Sequence, residues 1–367
     1  MYSRTALLFS VVVSLLLGCA CLVAIDAFRA LNQPLTAAAN STQEAEEVEA
    51  APDFAVEEGD SLAAIANRLY QQKRLDYARD RRYLSWAGRL SGYAGEIHVG
   101  EYDLTKHNSA WNLLLAMVAG DVIQYSFTII EGWNIHQVLT ALAANTKVTQ
   151  TEPALTPQSL AKALALNSET AEGWLLPDTY LFPKGITDLS VLKRAYAGMQ
   201  KTLETAWAQR VDALPYKNAY EALIMASIIE KETAVAAERR QIAGVFVRRL
   251  QKGMLLQTDP TVIYGIGPDF DGNIRRTDLR KDTPYNTYTR SGLPPTPIAM
   301  PGKASIEAAL DPADGQSLYF VSRGDGTHVF SETLQQHNAA VDRYQRKKAK
   351  PETPPTTPAE QPAEGGK

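Results

Sequence analysis

Residues 222–261 read ALIMASIIEKETAVAAERRQIAGVFVRRLQKGMLLQTDPT, and the fold turns on how this stretch is read. From 222 to 229 eight residues carry no charge and only Ser227 is polar; then Glu230, Lys231 and Glu232 arrive together. An apolar run of this kind predicts a buried helix segment whose end carries carboxylates to the edge of a core. A carboxyl group drawn part-way out of water is biased toward its neutral form, as a general acid working near neutral pH requires. Helix positions two apart point to nearly opposite sides, whereas positions three and four apart share one. Glu230 therefore lies on the side of Ala226 and Ser227, and Glu232 on that of Ile228 and Ile229. Small neighbours leave a groove and isoleucines fill one, which selects Glu230 as the acid and Glu232 as a flanking or cap charge. Two solvated charges closing a core helix are the alternative reading.

The composition around this stretch is that of a globular protein with room for two or three domains: 367 residues, 45% hydrophobic and 21% charged. A formal charge of −4, with no basic block beyond the short segment 343–350, argues against nucleic acid as a partner. Both cysteines, Cys19 and Cys21, sit in the apolar N-terminal segment, so disulfides, cysteine zinc sites and cysteine nucleophiles are excluded from the remainder. The twenty residues 6–25 lack a charge, with Arg4 before them and Asp26 and Arg29 after. At a helical rise that is about 30 Å, the thickness of a bilayer core, and longer than the apolar region of a cleavable signal. The expectation is a single-span anchor with its N-terminus in the cytoplasm and the body outside. Leu16-Leu17-Gly18-Cys19 leaves a lipid anchor as the alternative.

Along the chain, residues 36–52 form an Ala-, Glu- and Gln-rich tether without periodicity. Phe54-Ala55-Val56 reads as a strand and Gly59 as a turn. Ser61 or Asp60 caps a helix carrying Leu62, Ile65, Ala66 and Leu69, and a second helix over 83–90 and a strand over 100–104 follow. Glu131-Gly132-Trp133-Asn134-Ile135 echoes Glu58-Gly59-Asp60-Ser61-Leu62, which suggests a second strand-turn-helix unit of the same design. Residues 172–183, EGWLLPDTYLFP, read as a rigid loop of the kind that lines carbohydrate sites, with packed core as the alternative. Helices are expected over 189–214 and 236–250, the latter closed by Lys252-Gly253. The proline-rich segment 284–298 is extended, and its tyrosines and Asn286 could hold sugar hydroxyls or acetamido groups. A hairpin over 318–331 turns at Gly324-Asp325-Gly326, a helix closes the fold near 346, and 350–367 is a Pro-rich tail.

The candidate chemistries narrow quickly. The five histidines, His98, His107, His136, His328 and His337, form no close ligand pair, so neither a metal nor a cofactor is expected. There is no GxSxG elbow, and Tyr264-Gly265-Ile266-Gly267 lacks the third glycine of a dinucleotide loop. A carboxylic acid among aromatic and polar loops fits glycosidic bond cleavage. Ordinary glycosidases need two carboxylates, and Asp259, Glu232 and Asp178 are the candidates for a second.

Several long motifs, in this order, carry a resemblance: EGWLLPDTYLFPKG from Glu172, ASIIEKET from Ala226, IAGVF followed by RL, GM and LQTDPTVIYGIG from Ile242, YNTY from Tyr285, GLPPTPI from Gly292, and a spaced H-FS-HN from His328. Over roughly residues 1–345 the chain resembles the endolytic murein transglycosylases, the YceG-like, MltG-type family. It departs from the family's pattern at Arg248, where an asparagine is usual, and at Thr296, where a glycine is.

The resemblance implies an α+β fold with an N-terminal membrane helix, a LysM-like module and a mostly helical catalytic domain with a small sheet. The boundaries expected are a cytoplasmic stub 1–5, membrane helix 6–25, linker 26–52, LysM-like and connecting region 53–165, catalytic domain 166–346 and tail 347–367. It further implies a bitopic enzyme of the bacterial inner membrane that cuts nascent glycan strands internally, between N-acetylmuramic acid and N-acetylglucosamine. The first acid of the EKET motif, here Glu230, is the implied catalyst, protonating the glycosidic oxygen and then taking the proton of the muramyl C6 hydroxyl as a 1,6-anhydro end forms. Gln257, Asp259, Tyr264, Asn286 and Tyr288 are expected as substrate contacts. Glycan polymerases and penicillin-binding proteins are the implied partners. A hydrolytic muramidase and a non-catalytic glycan-binding scaffold are the rival readings.

Overall fold

A computed structural model describes residues 4–35 and 54–346; the first residues of the stub, the tether over 36–52 and the tail over 347–367 lie outside the described residues. The fold is α+β and mostly helical, and among the described residues the strands form three two-stranded sheets. The chain divides into two compact units, one made of residues 1–126, 147–149 and 181–186 and the other of 127–146, 150–180 and 187–367.

In the first unit, α1 (Arg4–Asn32) contains a 26-residue span, Leu7–Asn32, long and apolar enough to cross a membrane. β1 (Phe54–Val56), α2 (Leu62–Gln71), α3 (Ala78–Leu90), β2 (Gly100–Tyr102) and α4 (Ala110–Ala119) follow. Gly59 takes a left-handed φ of 86°, a conformation that costs a side chain but not glycine. The turn it makes lets the Ser61 hydroxyl accept the Ala64 amide and cap α2. Leu62, Ile65, Ala66 and Leu69, at helical spacing, are all buried, and β1 pairs antiparallel with β2 in the register Phe54↔Tyr102, Ala55↔Glu101, Val56↔Gly100.

β3 (Tyr125–Thr128) pairs with β4 (Thr179–Phe182), a strand inside the stretch expected to be a loop. Its alternation, with Tyr180 and Phe182 buried, is the period of two that the prolines on either side mask in the sequence. The second unit continues with α5 (Ile135–Ala143), α6 (Pro157–Ala163), α7 (Asp188–Ala208), α8 (Ala219–Glu232), α9 (Arg239–Gln251), α10 (Asp259–Ile266), α11 (Arg276–Arg280), α12 (Lys303–Leu310), the β5 (Tyr319–Ser322) and β6 (His328–Ser331) hairpin, and α13 (Leu334–Val341). The echo noted above is real at its turns: Gly132 has φ 78°, and Asn134 caps α5 by accepting the Gln137 amide. α7 stops at Ala208 rather than near 214, and Ala213 beyond it takes a positive φ of 60°.

The core of this unit is built round α8, whose residues 222–229 are all buried. The principal neighbour of α8 is α12, whose Ile306, Ala308, Ala309 and Leu310 are buried beside it. No sequence reading anticipated α12. It is only eight residues long, and Gly302 at its N-cap makes no side-chain cap that would mark its start.

Candidate active site

Glu230 lies on the last turn of α8, and its side chain is 7% exposed, neither entombed nor set on an open surface. The space beside the small residues one turn earlier is filled by the chain itself. The Ser227 hydroxyl donates to the Ile224 carbonyl and accepts the Ile298 amide at 3.0 Å, so the segment 297–302 lies along this side of the helix. That segment delivers the Gly302 amide, which donates to Glu230 Oε2 at 2.9 Å. Ser227→Ala is expected to leave the buried Ile298 N–H unpaired and to cost about 1–3 kcal/mol, read as a lower thermal midpoint with folding otherwise intact.

The other oxygen, Glu230 Oε1, lies 3.9 Å from Nη2 of Arg239, at the start of α9. Arg239 also walls a cavity of about 560 Å3, together with Ala236, Ala304, Glu307 and Leu310. Glu131 approaches the same Arg239 Nη2, again at 3.9 Å. Lys231 Nζ donates to the Gly132 carbonyl, and Gly132 and Trp133 exchange backbone bonds with Met300. The Glu131–Trp133 turn is thereby tied both to the end of α8 and to the segment that supplies the Gly302 amide.

A second buried carboxyl supports this turn. Glu172 is fully buried and accepts the Ile135 amide on both oxygens and the Tyr264 hydroxyl at 3.0 Å. Burial pushes its pKa up to about 7 against these hydrogen bonds. Its neighbour Trp174 stacks on Tyr220 with centroids 5.6 Å apart and planes 8° from parallel, and meets Tyr196 edge-on. The aromatic cluster of this stretch is thus packed into the protein.

The residues expected to contact substrate gather elsewhere than at Glu230. Asp259 accepts the Tyr288 hydroxyl at 2.5 Å, and both lie near Glu232, which accepts the Thr258 hydroxyl at 2.8 Å. Burial pushes the Glu232 carboxyl up, the Thr258 hydrogen bond opposing and the Asp259 charge adding to it. Glu232 is therefore an engaged, half-buried carboxyl rather than a solvated cap charge. Tyr264 serves Glu172 and packs against Tyr285 at 4.8 Å. Asn286 is buried; its amide donates to the Asp278, Leu279 and Lys281 carbonyls and its oxygen accepts the Tyr288 amide, so it pins its own loop. Gln257 is exposed and holds a positive φ of 54°, a conformation that costs a non-glycine residue about 1 kcal/mol. Asp178 turns its carboxylate back onto the Thr179 amide.

Arg248 and Thr296 both have structural duties. Arg248 donates to the Ser317 and Ala313 carbonyls, and Thr296 exchanges a hydrogen bond with Tyr285 at 2.8 Å. Arg239, Glu131 and Glu172 escaped the sequence reading, although a signal was present. The tripeptide Glu-Gly-Trp occurs at both 131–133 and 172–174, each with its glycine at positive φ. Among the described residues, no group of three or more His, Cys, Asp or Glu side chains is arranged to hold a metal ion.

Fold and site together define an α+β protein organised on a core helix that ends in a restrained carboxyl group. A family model described as the YceG-like family matches residues 54–343, and the chain belongs to that family. The endolytic murein transglycosylase of Bacillus subtilis (strain 168) is similar to it, 32% identical over 312 residues, covering 78% of this chain and 82% of the relative. The endolytic murein transglycosylase of Streptococcus pneumoniae (strain D39) is 28% identical over 324 residues; the match covers 78% of this chain but only 57% of that relative. Among solved structures, a YceG-like protein of Listeria monocytogenes is 27% identical, covering 78% of this chain and 97% of that one with a TM-score of 0.49.

Proposed function

We propose that the chain is a membrane-anchored lytic transglycosylase that cuts peptidoglycan glycan strands internally, between N-acetylmuramic acid and N-acetylglucosamine, and so ends strand elongation. The observation that carries this reading is Glu230, nearly buried at the end of α8 and aimed by the Gly302 amide and Arg239. Its relatives bear the name endolytic murein transglycosylase. In the reaction Glu230 protonates the glycosidic oxygen as the C1–O bond breaks. The muramyl C6 hydroxyl closes on C1 and surrenders its proton to the Glu230 carboxylate just formed, leaving a 1,6-anhydro end. No second substrate is needed.

In this reading α1 is a single span with its N-terminus in the cytoplasm and the body in the periplasm, beside newly made strands; the length and apolarity of Leu7–Asn32 support the span. Residues 53–165 contain a LysM-like module that holds glycan. The strand-helix-helix-strand order with β1 and β2 antiparallel supports that part of the reading. Residues 166–346 form the catalytic domain, and glycan polymerases and penicillin-binding proteins are the protein partners. Mass analysis of purified glycan strands digested with the full-length protein in detergent tests the reaction. Anhydro ends are expected; reducing ends would make the protein a muramidase, and uncut strands would make it a binding scaffold.

A further inference from the structure

We infer that the C-terminal half of α3 is seated in the outer leaflet beside α1, with phospholipid acyl chains in the groove between the two helices and anionic headgroup phosphates on Arg82 and Arg89; the inference rests on the single-span reading of α1. The groove holds about 450 Å3 between Cys19, Val23 and Ala27 of α1 and Tyr83, Trp86 and Leu90 of α3, all within the first unit. Cys19 stands in the uncharged run 6–25, seven residues before Asp26, so the groove reaches about 10 Å along the apolar part of α1. Asp26 and Arg29, the first charges after that run, mark where the headgroups begin. The groove therefore crosses the boundary between headgroups and hydrocarbon. Its two walls are fastened together. The Tyr83 hydroxyl donates to Asp26 at 2.9 Å, Arg79 reaches the same carboxylate at 3.6 Å, and Leu31 near the end of α1 is buried in the same core as Leu84 of α3.

The outer face of α3 has the chemistry of a membrane interface. Arg82, Trp86 and Arg89 follow one another four and three residues apart and so share a face, and Leu90 adjoins them one turn beyond Trp86. Trp86 is 54% and Leu90 89% exposed, large apolar side chains left open at the very place where the span enters the bilayer. Arg82 and Arg89 are exposed as well, and among the described residues neither has an ion-pair or hydrogen-bond partner. Arg79 and Arg81 on the same helix are engaged, with Asp26 and Asn67. Indole rings favour the headgroup level, and arginine stems lie along acyl chains while their guanidiniums rise to phosphates. Helices so composed sink about 5–10 Å into the headgroup boundary, which matches the reach of the groove. A second copy or another protein helix in the groove would cover Trp86 but bring no counter-charge to the two guanidiniums, whereas an anionic phospholipid supplies both an apolar chain and a phosphate.

The test is quenching of tryptophan emission in the full-length protein, reconstituted in vesicles of phosphatidylglycerol and phosphatidylcholine whose acyl chains carry bromine near the headgroup end. The chain has five tryptophans, and Trp86→Phe is expected to cut the quenching by about threefold or more. Leu90→Trp, which adds an indole one turn further along the same face, should raise it by about twofold, and this variant decides the matter if Trp86→Phe does not fold. With bromine carried by phosphatidylglycerol alone, quenching of the parent should exceed that with bromine on phosphatidylcholine alone by about twofold, and Arg82→Gln with Arg89→Gln should erase the difference. The inference is overturned if Trp86→Phe is quenched as strongly as the parent or Leu90→Trp no more strongly, as a protein helix filling the groove would produce. It is overturned equally if the parent shows no preference for the anionic lipid, or if the preference survives the loss of both arginines. Release of the parent from the vesicles by alkaline carbonate would instead overturn the single-span reading on which the inference rests.

Discussion

Glu230→Gln is expected to abolish strand cleavage while leaving the protein folded. Glutamine keeps an oxygen to accept the Gly302 amide at the position of Glu230 Oε2, so the segment 297–302 stays against α8. What is lost is the transferable proton, and removal of a positioned general acid lowers rates by about 10²- to 10⁴-fold. The measurement is anhydro-end formation by the full-length variant, paired with its thermal midpoint. Glu232→Gln is the informative comparison, because burial raises the pKa of Glu232 and a carboxyl so shifted could also serve as an acid. Its bond to the Thr258 hydroxyl and the nearby Asp259–Tyr288 pair give it a supporting role, so this variant should retain activity within about tenfold of the parent. An inactive Glu232→Gln beside an active Glu230→Gln would move the acid two residues along the helix.

Glu172 should make the stability of the second unit depend on pH. Its folded-state pKa of about 7 stands above the ordinary 4.5 of a glutamate in an unfolded chain. Below pH 4.5 both states hold the proton and the full stability is present. As pH rises toward 7 the unfolded chain gives up its proton first, so stability falls across that interval and levels off above it. The full interval corresponds to about 3 kcal/mol for a group this deeply buried. Denaturant unfolding at pH 5 and pH 8 should show the decline in the parent and not in Glu172→Gln, which carries no ionisable group. Equal slopes in the two proteins would mean that Glu172 does not titrate in this range. Glu172→Ala should be worse at every pH, by about 3–5 kcal/mol, since it strands the Ile135 amide and the Tyr264 hydroxyl and opens a void.

The consequences for the site join these two glutamates. Glu172 holds the start of α5, and the turn just before it carries Glu131 and exchanges backbone bonds with Met300. Two residues on, Gly302 meets Glu230. A fully buried acid thus steadies the turn that carries Glu131 and, through Met300, the segment whose Gly302 amide meets Glu230.

Local signals read correctly because they depend on neighbours in sequence. The 3.6-residue period of Leu62, Ile65, Ala66 and Leu69, the Ser61 cap, the eight-residue apolar run ending at Glu230 and the hairpin around Asp325 all follow from backbone geometry and burial of one face. Where several terms compete over short lengths the signal fades, as at α12 and at β4 between its prolines. Asn286 misled for another reason: a polar side chain suited to sugar hydroxyls is equally suited to loop carbonyls, and three of these claim its amide.

By itself the sequence determined the α+β class, the membrane-length apolar helix, the family, and the helix end on which Glu230 stands. Only the tertiary structure decided which groups meet there. Glu131 is 99 residues from Glu230 and 108 from Arg239 in the chain, and no periodicity links residues so distant. Their meeting is set by packing: Ser227 is small enough to admit the segment 297–302, and Gly302 is small enough to admit Glu131.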